Sequence, residues 1–195
     1  TSEFTPTPLI PALDFANRQI PAHGTMGVDY EQRVDFHRLR DYRLTRAMQA
    51  LDASECGAFL LFDFYNIRYT TQTWIGGALG DKMSRYALLM PDGKPHMWDF
   101  GSAAKHHRLF SPWIHEGHSH AGMLGLRGAI HPEVGLMKEA VTMIKGMLTD
   151  AGVANDPIGV DIVEPAFLFE MQAQGLKVVD IQQNMLDARS IKSVD

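Results

Sequence analysis

The chain has 195 residues, 45% of them hydrophobic and 21% charged, with a formal net charge of −5. That composition suits a globular domain with a sizeable core and argues against disorder throughout. The acidic balance offers no basic face for nucleic acid, no apolar run approaches the ~18 residues of a membrane span, and a lone cysteine, Cys56, excludes an internal disulfide framework and fits a reducing, cytoplasmic compartment.

Residues 1–30 are Pro-rich with little periodicity, which reads as an extended arm, and the polar start from Thr1 to Pro11 does not read as a signal peptide. From Tyr30 to Leu51 the spacing turns helical, with Phe36, Leu39, Arg43, Ala47 and Leu51 on one face and Arg38, Arg40 and Arg46 interleaved as a solvated face. Ala58 to Phe62 is a short apolar run that suits a strand buried on both sides. Asn66 to Thr71 follows, and then a glycine-bearing loop from Ile75 to Gly80.

Arg85 to Met90 and His96 to Phe100 are expected to form a hairpin around Pro91-Asp92-Gly93-Lys94, because Asp-Gly supplies positive φ at little cost. Ser102 to Phe110 suits a short helix with Ser102 as N-cap, and Ile114 to Gly128 reads as a loop. Pro132 is expected to open a helix carrying Val134, Met137, Val141, Ile144 and Leu148 on one face, with Gly152 just past its end. Ile158, Val160 and Ile162 alternate as a strand. Pro165 to Gln174 predicts a helix closed by Gly175, Leu176 to Val179 a strand, and Gln182 to Ser190 the beginning of a further helix that is then cut, as in a fragment. The alternation predicts an α/β fold: a mixed β-sheet flanked by helices.

Candidate chemistry is sparse. His115-Glu116-Gly117-His118-Ser119-His120 does not have the i, i+4 spacing of a helical zinc motif, although a loop could still gather its three histidines around a metal; surface or interface histidines are the plainer reading. Gly76 to Gly80 lacks the spacing of a dinucleotide loop. The most suggestive stretch is Asn66 to Arg85. Arg68 and Arg85 can each grip a carboxylate bidentately, and Tyr69, Trp74 and Tyr86 offer flat apolar walls. Together they would suit a small zwitterion, with core tyrosines and ordinary ion pairs as the plainer alternative.

Three segments carry a resemblance. Asn66-Ile67-Arg68-Tyr69-Thr70 resembles the N-I-x-Y-x-(S/T) segment of creatinase/prolidase ("pita-bread", M24-type) N-terminal domains. Arg85 to Met90 is similar to the family's next strand, and Arg189-Ser190-Ile191-Lys192-Ser193 to the R-x-I-K segment that leads into the catalytic domain. The dimethylsulfoniopropionate lyase branch is nearest in motif, through Asn66 to Tyr69, Arg85, Asp92-Gly93 and Met97-Trp98-Asp99-Phe100, and the creatinase branch is similar but looser.

The resemblance implies a ribonuclease H-like layering over residues 31–187, with 188–195 starting a linker to a catalytic domain. That domain would bind a divalent metal (Mn, Zn, Fe or Co), whereas no metal ligand set transfers to this chain. The resemblance further implies a homodimer in which this domain closes the partner subunit's pocket over a small zwitterionic substrate: creatine-like, a sulfonium compound or an Xaa-Pro dipeptide. Arg85 would then grip the substrate carboxylate, with Trp74 and Tyr69 as pocket walls and Arg68 as a further contact. The other functional class is a stand-alone, non-catalytic binding or dimerisation module of the same fold, and a histidine-based metalloprotein is a third.

Overall fold

The computed structural model describes residues 34–74, 84–122 and 131–195. The expected arm over 1–30, the glycine-bearing loop over 75–80 and the distal part of the 114–128 loop lie outside the described residues. The chain divides into two compact units, one comprising, among the described residues, 34–39 and 193–195, and the other Arg40–Lys192. In the first, the Arg38 guanidinium donates through Nε to Asp195 Oδ2 at 2.6 Å and through Nη2 to Oδ1 at 2.5 Å.

The second unit is built on a six-stranded mixed sheet. Its strands are β1 (Ala58–Leu61), β2 (Tyr86–Leu89), β3 (His96–Asp99), β4 (Ser119–Ala121), β5 (Ile158–Val160) and β6 (Val178–Asp180), in the spatial order β4-β3-β2-β1-β5-β6. The helices are α1 (Phe36–Asp52), α2 (Phe64–Thr71), α3 (Gly101–Phe110), α4 (Leu136–Asp150), α5 (Pro165–Ala173) and α6 (Gln182–Ser190). The expected hairpin is present: β2 runs antiparallel to both β1 and β3, with Gly93 at φ +69° in the turn. β3 and β4 are parallel across α3, and β5 and β6 are parallel across α5, so each pair is joined by a helical crossover.

Period-two alternation splits the core between the two faces of the sheet. Leu60, Tyr86, Leu88, Trp98, Ile158 and Val160 pack with Val141, Ile144 and Leu148 of α4 and Phe167 and Met171 of α5. Phe59, Leu61, Ala87, Leu89 and Met97 pack with Ala47 and Leu51 of α1 and Met185 of α6. Gly159 is fixed by close approach: a Cβ there would lie 2.7 Å from the Phe59 ring and 2.6 Å from Ile181.

Phe64 to Thr71, to which the sequence pattern assigns no element, is a helix, although Ile67, Tyr69, Thr70 and Thr71 are strand-favouring residues. Asp63 overrides them as N-cap, its carboxylate accepting from the Tyr65 and Asn66 amides. Ser102 is not the N-cap of α3: Phe100 holds that position and no side chain caps the helix. Pro132 opens a separate 3-10 turn, Pro132–Val134; Gly135, at φ +82°, then breaks the path before α4, and Val134 is left exposed. The stretch after Ile114 contains β4, whose three residues are too few for an alternation to register. Phe36 and Ile162 are exposed rather than on a buried face. Arg46 is not part of a solvated row, because it donates to the carbonyls of Ala188 and Asp187 at the end of α6, where backbone acceptors have no helical partner.

Candidate functional site

The motif residue Asn66 is fully buried and works as a staple. Its amide nitrogen donates to Asp161 Oδ2 at 2.9 Å, and its carbonyl accepts from Arg189 Nη1 at 2.6 Å. Asp161, just beyond β5, also accepts from the Phe62 and Asp63 amides at 2.8 and 3.0 Å. Burial pushes its carboxyl above the usual carboxylate range, opposed by these hydrogen bonds. Arg189 lies 3.5 Å from Asp63. Two of the segments that carry the family resemblance, distant in sequence, therefore meet in one buried polar cluster at the ends of β1, β5 and α6.

Next to this cluster, four residues form an aromatic and cationic group. The Phe64 and Trp74 rings meet edge-on at 4.5 Å, and the Arg68 guanidinium lies over the Trp74 ring at 4.6 Å. Trp74 is half exposed. Arg85 stands behind, its guanidinium 5.8 Å from the Phe64 ring centre. Arg85 is itself buried, with 6% of its surface exposed. Its Nε lies 3.2 Å from Asp99 Oδ2, and its Nη2 donates to Thr73 O and Oγ1 at 3.1 and 2.5 Å. Nη1 is buried without a hydrogen-bond partner among the described residues. Burial lowers the guanidinium pKa, with Asp99 opposing. Asp99 is shared with buried His107, whose Nε2 lies 3.2 Å from the same Oδ2.

Arg85 and Trp74 thus meet Phe64, Arg68 lies on Trp74, and Tyr69 does not join them. Tyr69 occupies another face of α2: its hydroxyl donates to Ala188 O at 2.9 Å, and Arg43 lies over its ring at 5.8 Å. Tyr86 is core, stacked between Phe62 and Trp98, and burial pushes its phenol pKa up. Phe64, Asp99, Thr73 and His107 belong to the site and were not singled out by residue type. Asp99, facing the core inside an apolar strand, was the available signal, since a buried acid demands a partner.

The histidines come together as a stack on the sheet. His96 and His118 rings lie 3.6 Å apart, His96 Nδ1 is 3.0 Å from His120 Nε2 with one proton between them, and His120 stacks on Trp98 at 4.8 Å. Among the described residues, no three His, Cys, Asp or Glu side chains are placed to share a metal ion. Burial, followed by His118 and His120, pushes His96 down to about 4, with Asp92 opposing; His118 and His120 are also lowered, chiefly by burial. Depressed histidine pKa values mean the unfolded chain binds more protons, so stability is expected to fall as pH drops from about 6.5 towards 4. The urea midpoint should be lower at pH 5 than at pH 7.5, and His96→Phe, which keeps a ring without a titrating nitrogen, should flatten that difference; an unchanged difference would refute the assignment.

No protein-family model matches the chain. It is 26% identical over 168 residues to the dimethylsulfoniopropionate lyase DddP of Roseovarius nubinhibens, an alignment covering 83% of this chain and 36% of that protein. The chain thus spans little more than a third of that relative's length. Its fold matches an Xaa-Pro dipeptidase from Bacillus anthracis with a TM-score of 0.53 at 11% identity, over 80% of this chain and 37% of that one. It also matches an Xaa-Pro aminopeptidase structure from Streptococcus pyogenes with a TM-score of 0.52 at 15% identity, over 78% of this chain and 99% of that one.

The chain has the N-terminal fold of the creatinase/prolidase family. In this fold Asn66 of the N-I-x-Y segment and Arg189 of the R-x-I-K segment have a direct physical role, as the two halves of one contact. No helix among the described residues is long and apolar enough to cross a membrane.

Proposed function

We propose that the chain is the substrate-pocket-closing and dimerisation domain of a metal-dependent creatinase/prolidase-type hydrolase or lyase acting on a small zwitterion. The reading is carried by the group around Phe64. An exposed indole and the Arg68 guanidinium are stacked at the surface, with a buried, ion-paired Arg85 behind them. Trp74 offers a face to a cationic group, and the arginines offer donors to a carboxylate. Arg85 would serve with its unpaired Nη1, its charge held in place by Asp99. The likeness to DddP, and to peptidases named for Xaa-Pro substrates, supports the same class. The divalent metal would be held by residues of the partner subunit's catalytic domain and would supply the Lewis-acid chemistry.

The test is made in the full-length protein, on its own substrate and with bound metal quantified. Trp74→Ala is expected to raise KM about tenfold, as the loss of one stacking contact of about 1–2 kcal/mol would, with the metal content unchanged. An unchanged KM, or a monomer by sedimentation, would count against the reading and favour a stand-alone binding module.

A further inference from the structure

Arg85 and Asp99 are a buried ion pair whose two partners are hydrogen-bonded elsewhere. Arg85 Nε lies 3.2 Å from Asp99 Oδ2 without the alignment of a hydrogen bond, and Nη1 has no partner among the described residues. An arginine and a carboxylate in contact frequently share two parallel N–H···O bonds instead. Asp99 is engaged by others: its Oδ1 accepts from the Phe100 amide at 3.0 Å, and its Oδ2 lies 3.2 Å from His107 Nε2. The hydrogen bonds of Arg85 run from Nη2 to the Thr73 carbonyl at 3.1 Å and to the Thr73 hydroxyl at 2.5 Å.

α3 begins directly after β3, and Ala103, Ala104 and His107, spaced by three and four residues, make its buried face. The carboxylate in front of His107 Nε2 places a ring proton on that nitrogen, and Nδ1 is buried without a partner among the described residues. At the other end of the series, Thr73 is the residue before Trp74. Its remaining hydrogen bonds among the described residues, from its amide and through its hydroxyl to Thr71 Oγ1, stay within the same segment. Arg85 Nη2 therefore ties the backbone before the exposed indole to the start of β2. Were Asp99 to take both Nε and Nη2 of the guanidinium, that tie would be lost.

We infer that His107 is a positioning residue for Trp74. Together with the Phe100 amide it occupies Asp99, keeps the carboxylate from clasping Arg85 with both oxygens, and so leaves Nη2 to hold Thr73 and the indole that follows. Asp99 still supplies the neutralising charge, so Arg85 stays buried while its hydrogen bonds serve the pocket side. The inference deepens the proposed function, in which Trp74 is a pocket wall, and rests on that reading only for its effect on KM.

Backbone order parameters, measured by nitrogen-15 relaxation on the 195-residue chain, test the ring's placement without any ligand. The Thr73 and Trp74 amides are expected near about 0.85 in the unchanged chain and below about 0.6 in His107→Leu, with Leu88 and Trp98 of the sheet unaltered. His107→Gln, whose amide can still donate to Asp99, should restore them. His107→Asn, polar but too short to reach Asp99, should behave as His107→Leu does and takes its place if that variant does not fold. In the full-length assay used for Trp74→Ala, His107→Leu should raise KM about fivefold with kcat unchanged, as the loss of one hydrogen bond would. A loosened Trp74 with an unchanged KM would support the positioning and count against Trp74 as a pocket wall. Unaltered order parameters in His107→Leu, equal loosening in His107→Gln, or a Trp74 amide already mobile in the unchanged chain would each overturn the inference.

Discussion

Asp99→Ala is expected to destabilise the domain by about 3–5 kcal/mol, the usual loss when one partner of a buried ion pair is removed. Asp99 is 1% exposed and is the acidic partner of Arg85, which is 6% exposed. Removing it leaves a guanidinium that cannot be neutralised near pH 7, with Thr73 as its remaining partner and Nη1 already unpaired. His107 Nε2 and the Phe100 amide lose an acceptor in the same step. Urea denaturation measures the effect. The double variant Arg85→Met/Asp99→Leu should recover most of the loss, because it removes both charges while keeping volume. A near-wild-type midpoint for Asp99→Ala would show that water solvates Arg85, and would remove the basis for treating Asp99 as the residue that holds it. The double variant also separates two roles: if Arg85 serves ligand binding as proposed, a protein restored in stability would remain impaired in KM.

Asp161→Ala carries the second large effect, about 3 kcal/mol or more, because three donors besides its own neighbour's amide converge on this one side chain. Phe62 N, Asp63 N and Asn66 Nδ2 would lose their acceptor in a site that excludes much of the solvent. Asp161→Asn keeps one carbonyl oxygen and should cost less. Amide hydrogen exchange gives a local check: the Phe62 and Asp63 amides should lose protection in Asp161→Ala well before those of Leu88 and Met97 in the neighbouring strands. Equal protection in the variant would mean that other acceptors hold the end of β1.

The layered architecture was legible because its signals are cooperative. Long periodic stretches such as Met137 to Leu148, and the Asp92-Gly93 turn between apolar strands, leave few alternatives. What escaped was local and decided by tertiary contacts. The helix at Phe64–Thr71 has strand-favouring residues and depends on a single capping carboxylate. β4 has three residues, and its pairing with β3 rather than its composition makes it a strand. The candidate site was half legible. Arg68, Trp74 and Arg85 stood out by residue type, and the structure links them in one group through Phe64 and Trp74. Nothing in their spacing revealed that Arg85 is committed to Asp99, or that Tyr69 turns away towards α6. Such facts depend on which strand residues lie back to back, and a one-residue change in register would reverse them.

The position of β1 carries a consequence for how the chain finds this structure. Its partner on one side, β2, follows once α2 has been crossed, and β2 and β3 close on the short Asp92-Gly93 turn. Its partner on the other side, β5, comes almost a hundred positions later, and the Phe62–Asp161 bond that secures their ends spans 99. Closing that long loop costs entropy before any contact repays it. The segment from β1 to β3, which holds Phe64, Arg68, Trp74, Arg85 and Asp99, can therefore assemble early, while the contacts of Asn66 with Asp161 and Arg189 form after β5 has docked. On a ribosome, where the chain emerges from its N-terminus, the group proposed to meet a substrate could gather before the Asp161 and Arg189 that brace Asn66 have been synthesised.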